Sequence, residues 1–213
     1  SYRMNAAQWA QAERQAFVDL AQELGPEAAT LCEGWTVADL AAHLVLRERH
    51  PLAMPGILLG GPFARYTTRV NDRLATGSFD ELLQKIRSGP PKLLRRFDGK
   101  MNVAEFAIHL EDLRRARQGW EPRTGLDELQ DLLWGIQGRS ARLMTRKLND
   151  INLTLARPSG ETISAGKTGR PVTLPGEPLE VVLFVAGRRD QALVELTGEP
   201  TAVQEVKTGP LGY

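Results

Sequence analysis

The chain has 213 residues, 42% apolar and 25% charged, which is enough to bury one large or two modest hydrophobic cores. Its 27 basic and 26 acidic side chains leave a net charge of +1, so no bulk attraction draws it to nucleic acid or to an anionic membrane. The single cysteine, Cys32, excludes an internal disulfide and a cysteine-rich zinc site, and a reducing cytoplasm is the expected setting.

No apolar run approaches the roughly 18 residues that span a bilayer, and the first residues lack the apolar core of a secretion signal. The segment "NAAQWAQAERQAFVDLAQELGP" predicts the first helix. Asn5 and Gln8 form a capping box at its start, Trp9, Phe17, Leu20 and Leu24 form a stripe, and Gly25-Pro26 stops it. In "GWTVADLAAHLVLRERHP", Thr36 and Asp39 make the acidic variant of the same box. Val37, Leu40 and Leu44 form the apolar face, with His43 beside it, and Pro51 ends the helix. His50, just before that proline, reads as a solvated cation at a helix end. The apolar loop at 52–62 is broken by Gly and Pro, and Phe63, Tyr66, Val70 and Leu74 are in helical register after it.

Ser78 opens a short helix with S-F-D-E, and Pro90-Pro91 is a break. "NVAEFAIHLEDLRRARQGW" predicts a helix beginning with an Asn102/Glu105 box and running to Gly119, and a last long helix is expected from Leu126 to about Leu148. Near Asp150 the pattern changes to alternation broken by P-S-G and T-G, which predicts short antiparallel strands. "EPLEVVLFVAGR" reads as a helix, "ALVELTG" as a strand and "PTAVQEV" as a final helical turn. The fold class is therefore mainly α: a helical bundle over residues 1–148 and a small α+β domain over 149–213.

Glu105 and His109 are four residues apart, so on a helix they share a face and can reach one cation. His43, on another helix, is the natural third ligand. Two imidazoles and one carboxylate suit zinc and leave a coordination position open, although nickel, iron and cobalt accept the same donors. Asp112, three residues after His109, and Arg47 and Glu48, near His43, are placed to support such a site from outside. The spacing also permits a plainer reading, in which Glu105 caps its helix and His43 is a core histidine. Trp35 reads as a packing anchor at a helix start, and Asp112 with Arg115 as a helix-surface or supporting pair.

"LCEGWTVADLAAHL" (31–44), "EFAIHLEDLRRARQGWEPR" (105–123) and "GEPLEVVLFVAGR" (176–188) resemble, in that order, three segments of the mycothiol-dependent maleylpyruvate isomerase family. That family belongs to the wider DinB/YfiT-like metalloenzymes. The resemblance implies a DinB-like four-helix bundle holding a divalent metal, usually zinc, on His43, Glu105 and His109. Many DinB-like relatives carry histidine at the position of Glu105, whereas the isomerase branch carries glutamate. It further implies mycothiol or a similar thiol as cosubstrate, activated as a thiolate on the metal, and a small-molecule electrophile as its partner. The reaction would be an isomerisation or a thiol transfer. Arg188, or Arg189 beside it, is the match for the C-terminal arginine that assists substrate carboxylates in that family. A non-catalytic bundle that holds a metal and binds or senses a small ligand is the alternative that the residues leave open.

Overall fold

The computed structural model describes residues 2–49, 68–69, 71–73, 77–97, 99–166 and 168–211. His50, the apolar loop at 52–62 and the register residues Phe63, Tyr66, Val70 and Leu74 lie outside the described residues. The chain divides into two compact units, residues 1–122 and 123–213.

The first unit is helical: α1 (Ala6–Leu24), α2 (Val37–Arg49), α3 (Phe79–Arg87), a 3-10 helix (Lys92–Phe97) and α4 (Lys100–Arg114). Local sequence signals set most of these ends. The Asn5 side chain accepts from the Gln8 backbone and the Gln8 side chain from the Asn5 backbone, each at 2.9 Å, so the first capping box closes in both directions. Gly25 ends α1 at φ +86°, where any side chain would be strained. Thr36 and Asp39 exchange bonds of 2.9 and 3.2 Å at the start of α2, and Ser78 caps α3. α1 packs along α4, and Phe17, Leu40, Leu44, Ile86 and Phe106 lie in one apolar core.

α4 departs from its expected start. It opens at Lys100 with Gly99 as its cap, so Asn102 lies inside the helix and does not form a box with Glu105. It also ends at Arg114 and not at Gly119, where the Arg115 N–H closes the last turn on Glu111. The N-x-x-E pattern is shared by a cap and by two neighbours on a helix face, and here it is the second.

The second unit holds α5 (Asp127–Met144), β1 (Ile151–Ala156), β2 (Thr162–Ser164), β3 (Arg170–Pro175), α6 (Pro178–Val185), β4 (Thr197–Gly198) and α7 (Pro200–Thr208). α5 is joined to α6 by Gln137, which donates to the Pro178 carbonyl at 2.6 Å, and by Gln130, which accepts from the Leu179 N–H at 2.7 Å. The sheet order is β2-β1-β3-β4. β1 and β2 are antiparallel, as the alternation predicts, but β1 and β3 are parallel, from Ile151↔Arg170 to Ala156↔Pro175. The chain leaves β2 near the start of β1 and crosses that end to reach β1's other edge. Glycine allows the crossing: a Cβ on Gly166 would lie 2.8 Å from the Ile151 carbonyl oxygen, and one on Gly169 only 2.4 Å from the Asp150 carbonyl carbon. Leu153, Leu155, Val172 and Leu174 alternate along the strands into one core with Phe184 and Val206. The expected strand over "ALVELTG" shrinks to Thr197–Gly198, and the expected final turn is a nine-residue helix capped by Glu199.

The chain is thus mostly helical with a small four-stranded sheet in its C-terminal part. No helix among the described residues is long and apolar enough to cross a membrane.

Candidate metal centre

On α4, Asn102, Glu105, His109 and Asp112 recur every three or four residues, so they form one polar stripe. Another face of that helix is committed to packing: Val103, Phe106, Ala107, Leu110 and Leu113 are buried. On α2, His43 and Arg47 are one turn apart and meet this stripe. The rings of His43 and His109 lie edge to face with centroids 5.8 Å apart. His109 Nε2 is 3.3 Å from Glu105 Oε2. Arg47 donates from Nη1 to Asn102 Oδ1 at 2.5 Å, and its Nε lies 3.9 Å from the same Glu105 oxygen.

Behind His109 stands Asp112, fully buried, with Oδ2 2.9 Å from Nδ1 of the ring. A carboxylate only accepts, so Nδ1 carries a proton and the neutral ring offers Nε2, the nitrogen on the side of Glu105. A carboxylate behind a histidine is the usual support of a metal-binding imidazole. Cys32, 80 residues away in sequence, donates from Sγ to the same Asp112 oxygen at 3.4 Å.

His109 therefore belongs to two groupings. Cys32, Asp112 and His109 bring potential ligand atoms within 4.8 Å of one another. Their N···O separation of 2.9 Å is that of a hydrogen bond. Zinc bonds of about 2.0–2.1 Å set two tetrahedral donors about 3.3 Å apart. The separation of 3.3 Å between His109 Nε2 and Glu105 Oε2 is close to that edge, and it is also within hydrogen-bond reach when the ring is protonated. The ring of His43 stands beside this pair, while Asp112 and Cys32 lie on the Nδ1 side of His109.

Electrostatics adds a pH dependence. Burial pushes the Glu105 carboxyl up, but the hydrogen bond and charge of His109, with Arg47 and His43 behind them, outweigh it and hold it at about 2. Burial pushes the His109 imidazole down, but its bonds to Asp112 and Glu105 win and raise it above the usual 6.5. A raised folded-state value means that the protonated ring stabilises the metal-free fold. That stability is fully present below about 6.5 and is lost as pH rises through the folded-state value. The urea midpoint of the metal-free chain should accordingly fall as pH is raised from 6 upward, and this fall should vanish in His109→Gln. A pH-independent wild-type midpoint over that range would contradict it. Zinc competes with the same proton, so its affinity should rise over the same range.

Other singled-out residues have clear places. Arg115 is buried, bonded through Nε to Glu111 at 2.9 Å and stacked 4.2 Å above the Trp120 ring. Trp35 is 37% exposed, and its ring lies 5.3 Å from that of His43, so it borders the candidate ligand and is not a buried anchor. Arg188 and Arg189 are in the second unit. Arg188 donates to the Ala186 carbonyl at 2.6 Å, and Arg189 to those of Val206 and Gly209 at 3.1 and 2.7 Å. Sequence reading misses the part played by Asn102. The signal available was its place one turn before Glu105 on the same helix face.

A family model described as the mycothiol maleylpyruvate isomerase N-terminal domain matches residues 10–134. Two solved structures share the fold: the mycothiol-dependent maleylpyruvate isomerase, at 19% identity, and a histidine-to-alanine mutant of it, at 18%. Each match covers 91% of this chain and 92% of the other, with a TM-score of 0.62. No curated protein matches the chain.

Proposed function

Because the chain belongs to the mycothiol maleylpyruvate isomerase N-terminal domain family, we propose that it is a thiol-dependent enzyme, an isomerase or thiol transferase, whose metal is held by His43, Glu105 and His109. The observation that carries this reading is the 3.3 Å approach of Glu105 Oε2 to His109 Nε2, with Asp112 behind the ring and His43 facing it. Zinc is the ion that this donor set suits best. When bound, it would lower the pKa of a coordinated thiol and supply a thiolate near neutral pH.

The chain's own residues prepare that chemistry. Asp112 keeps the proton on Nδ1 of His109 and so directs Nε2 toward the centre. Glu105 is ionised throughout the physiological range and needs no deprotonation to act as a ligand. Arg47, anchored by Asn102, helps to balance that carboxylate's charge. The cosubstrate, mycothiol or a similar thiol, and a small-molecule electrophile are proposed from the family. The assignment of Arg188 to substrate carboxylates rests on the resemblance alone.

The test is metal content by elemental analysis after purification without a nickel column or chelator. The wild type should carry about one divalent ion per chain, and His43→Ala and Glu105→Ala should lose it. A wild type that takes up no metal even when zinc is added would overturn the reading. If metal is retained, thiols and electrophiles can be screened together. Thiol binding without any product would favour a metal-holding binding module instead.

A further inference from the structure

We infer that Cys32 is a positioning residue of this centre, acting through Asp112 to fix the ring of His109. The inference rests on the assignment of His43, Glu105 and His109 as ligands. It begins from a shared atom: Asp112 Oδ2 accepts from Cys32 Sγ at 3.4 Å and from His109 Nδ1 at 2.9 Å. The backbone reinforces the link, since the Leu31 N–H donates to the Asp112 carbonyl at 3.0 Å. Thr30 holds the cysteine in turn: its Oγ1 accepts from the Cys32 N–H at 3.1 Å and donates to the Trp35 carbonyl at 2.9 Å.

Asp112 is fully buried, so bulk water cannot orient it and protein donors must do so. A second donor on the very oxygen that faces the imidazole fixes that oxygen's direction, and with it the ring's. A thiol is a weak donor, so its contribution is direction more than bond strength. It also adds no charge beside a carboxylate whose task is to accept from histidine. Serine offers the same kind of donor from nearly the same place, whereas alanine offers none. Cys32 is not itself a ligand on this reading, because the oxygen it shares with His109 is at hydrogen-bond distance from the ring.

The test uses the full chain as wild type, Cys32→Ala, Cys32→Ser and His43→Ala. Zinc affinity would be measured by chelator competition, and the visible and near-ultraviolet spectrum recorded with cobalt(II) in place of zinc. Outer partners of a metal-binding histidine are worth about 10–100-fold in affinity. Cys32 acts one link further out, so Cys32→Ala should weaken zinc by about tenfold, the lower end of that range. Cys32→Ser should stay close to wild type. The cobalt bands should shift in the alanine variant and not in the serine variant. The wild-type spectrum should show no thiolate-to-cobalt charge-transfer band.

Unchanged affinity in Cys32→Ala would overturn the inference, and so would a serine variant as weak as the alanine one. A charge-transfer band that disappears in Cys32→Ser would overturn it differently, by making the sulfur a ligand. Should the alanine variant fail to fold, the serine variant and the wild-type spectrum still decide. Wild-type affinity in His43→Ala would instead bring down the ligand assignment itself. Loss in His43→Ala with no change in Cys32→Ala would remove only the role of the cysteine.

Discussion

His109→Ala is expected to lose more than about a hundredfold in zinc affinity, beyond the 10–100-fold typical for a partner that only supports a ligand. The same variant should lower the stability of the metal-free chain by about 1–3 kcal/mol at pH 6, because Asp112 is left buried without its imidazole donor. Both effects come from one ring, which faces Glu105 with Nε2 and Asp112 with Nδ1. Chelator competition measures the first effect and urea denaturation of the metal-free chain the second. A variant that keeps near-native zinc affinity would remove His109 from the ligand set. A variant that loses zinc with no change in stability would show that Asp112 is satisfied by its other partners.

The largest effect on folding should come from Glu48→Ala. Arg14 on α1 has no exposed surface, and its Nη2 donates to Glu48 Oε2 on α2 at 2.8 Å. Its guanidinium also lies 4.5 Å from the ring centroid of Phe106, the neighbour of Glu105 on α4. This one cation therefore touches α1, α2 and α4, the last two of which carry the candidate ligands. Removing the carboxylate leaves a buried charge short of its counter-ion, which costs about 3–5 kcal/mol. The paired replacement Arg14→Met with Glu48→Leu should recover most of that loss, since no charge is then stranded. Chemical denaturation of the two variants beside wild type gives the comparison. A loss below about 1 kcal/mol in Glu48→Ala would mean that the other partners of Arg14, Gln11 among them, are enough to hold its charge.

The parts of the structure that could be read from sequence are those written in local chemistry. The Asn5/Gln8 box, Gly25, the Thr36/Asp39 exchange and Ser78 each act over three or four residues, and each sets the helix end that sequence reading expects. The stripe of Glu105, His109 and Asp112 was visible for the same reason, His43 stands out beside the apolar face of another helix, and the resemblance to the isomerase family implies the three ligands together. Two kinds of feature escaped. One is ambiguity: Asn102 three residues before Glu105 reads equally as a cap and as a helix face, and only the helix start at Lys100 decides between them. The other is distance in the chain. Nothing near Cys32 announces Asp112, and nothing near β1 announces that β3 will pair with it in parallel. Such contacts depend on how elements meet, and two glycines at the strand crossing are the nearest thing to a local trace of one.

His43 and the pair Glu105 and His109 stand on different helices with sixty-odd residues of chain between them. An ion shared by the three would be a cross-link between the two helices that exists only while the chain is folded. Because the ion binds the folded chain and leaves the unfolded one, its contribution to stability grows with free metal relative to its dissociation constant, about 2.7 kcal/mol at a hundredfold excess. A chelator would then do more than stop the chemistry. It would also remove a link between α2 and α4 beyond the apolar core that they share, and the urea midpoint with and without chelator would read what that link is worth.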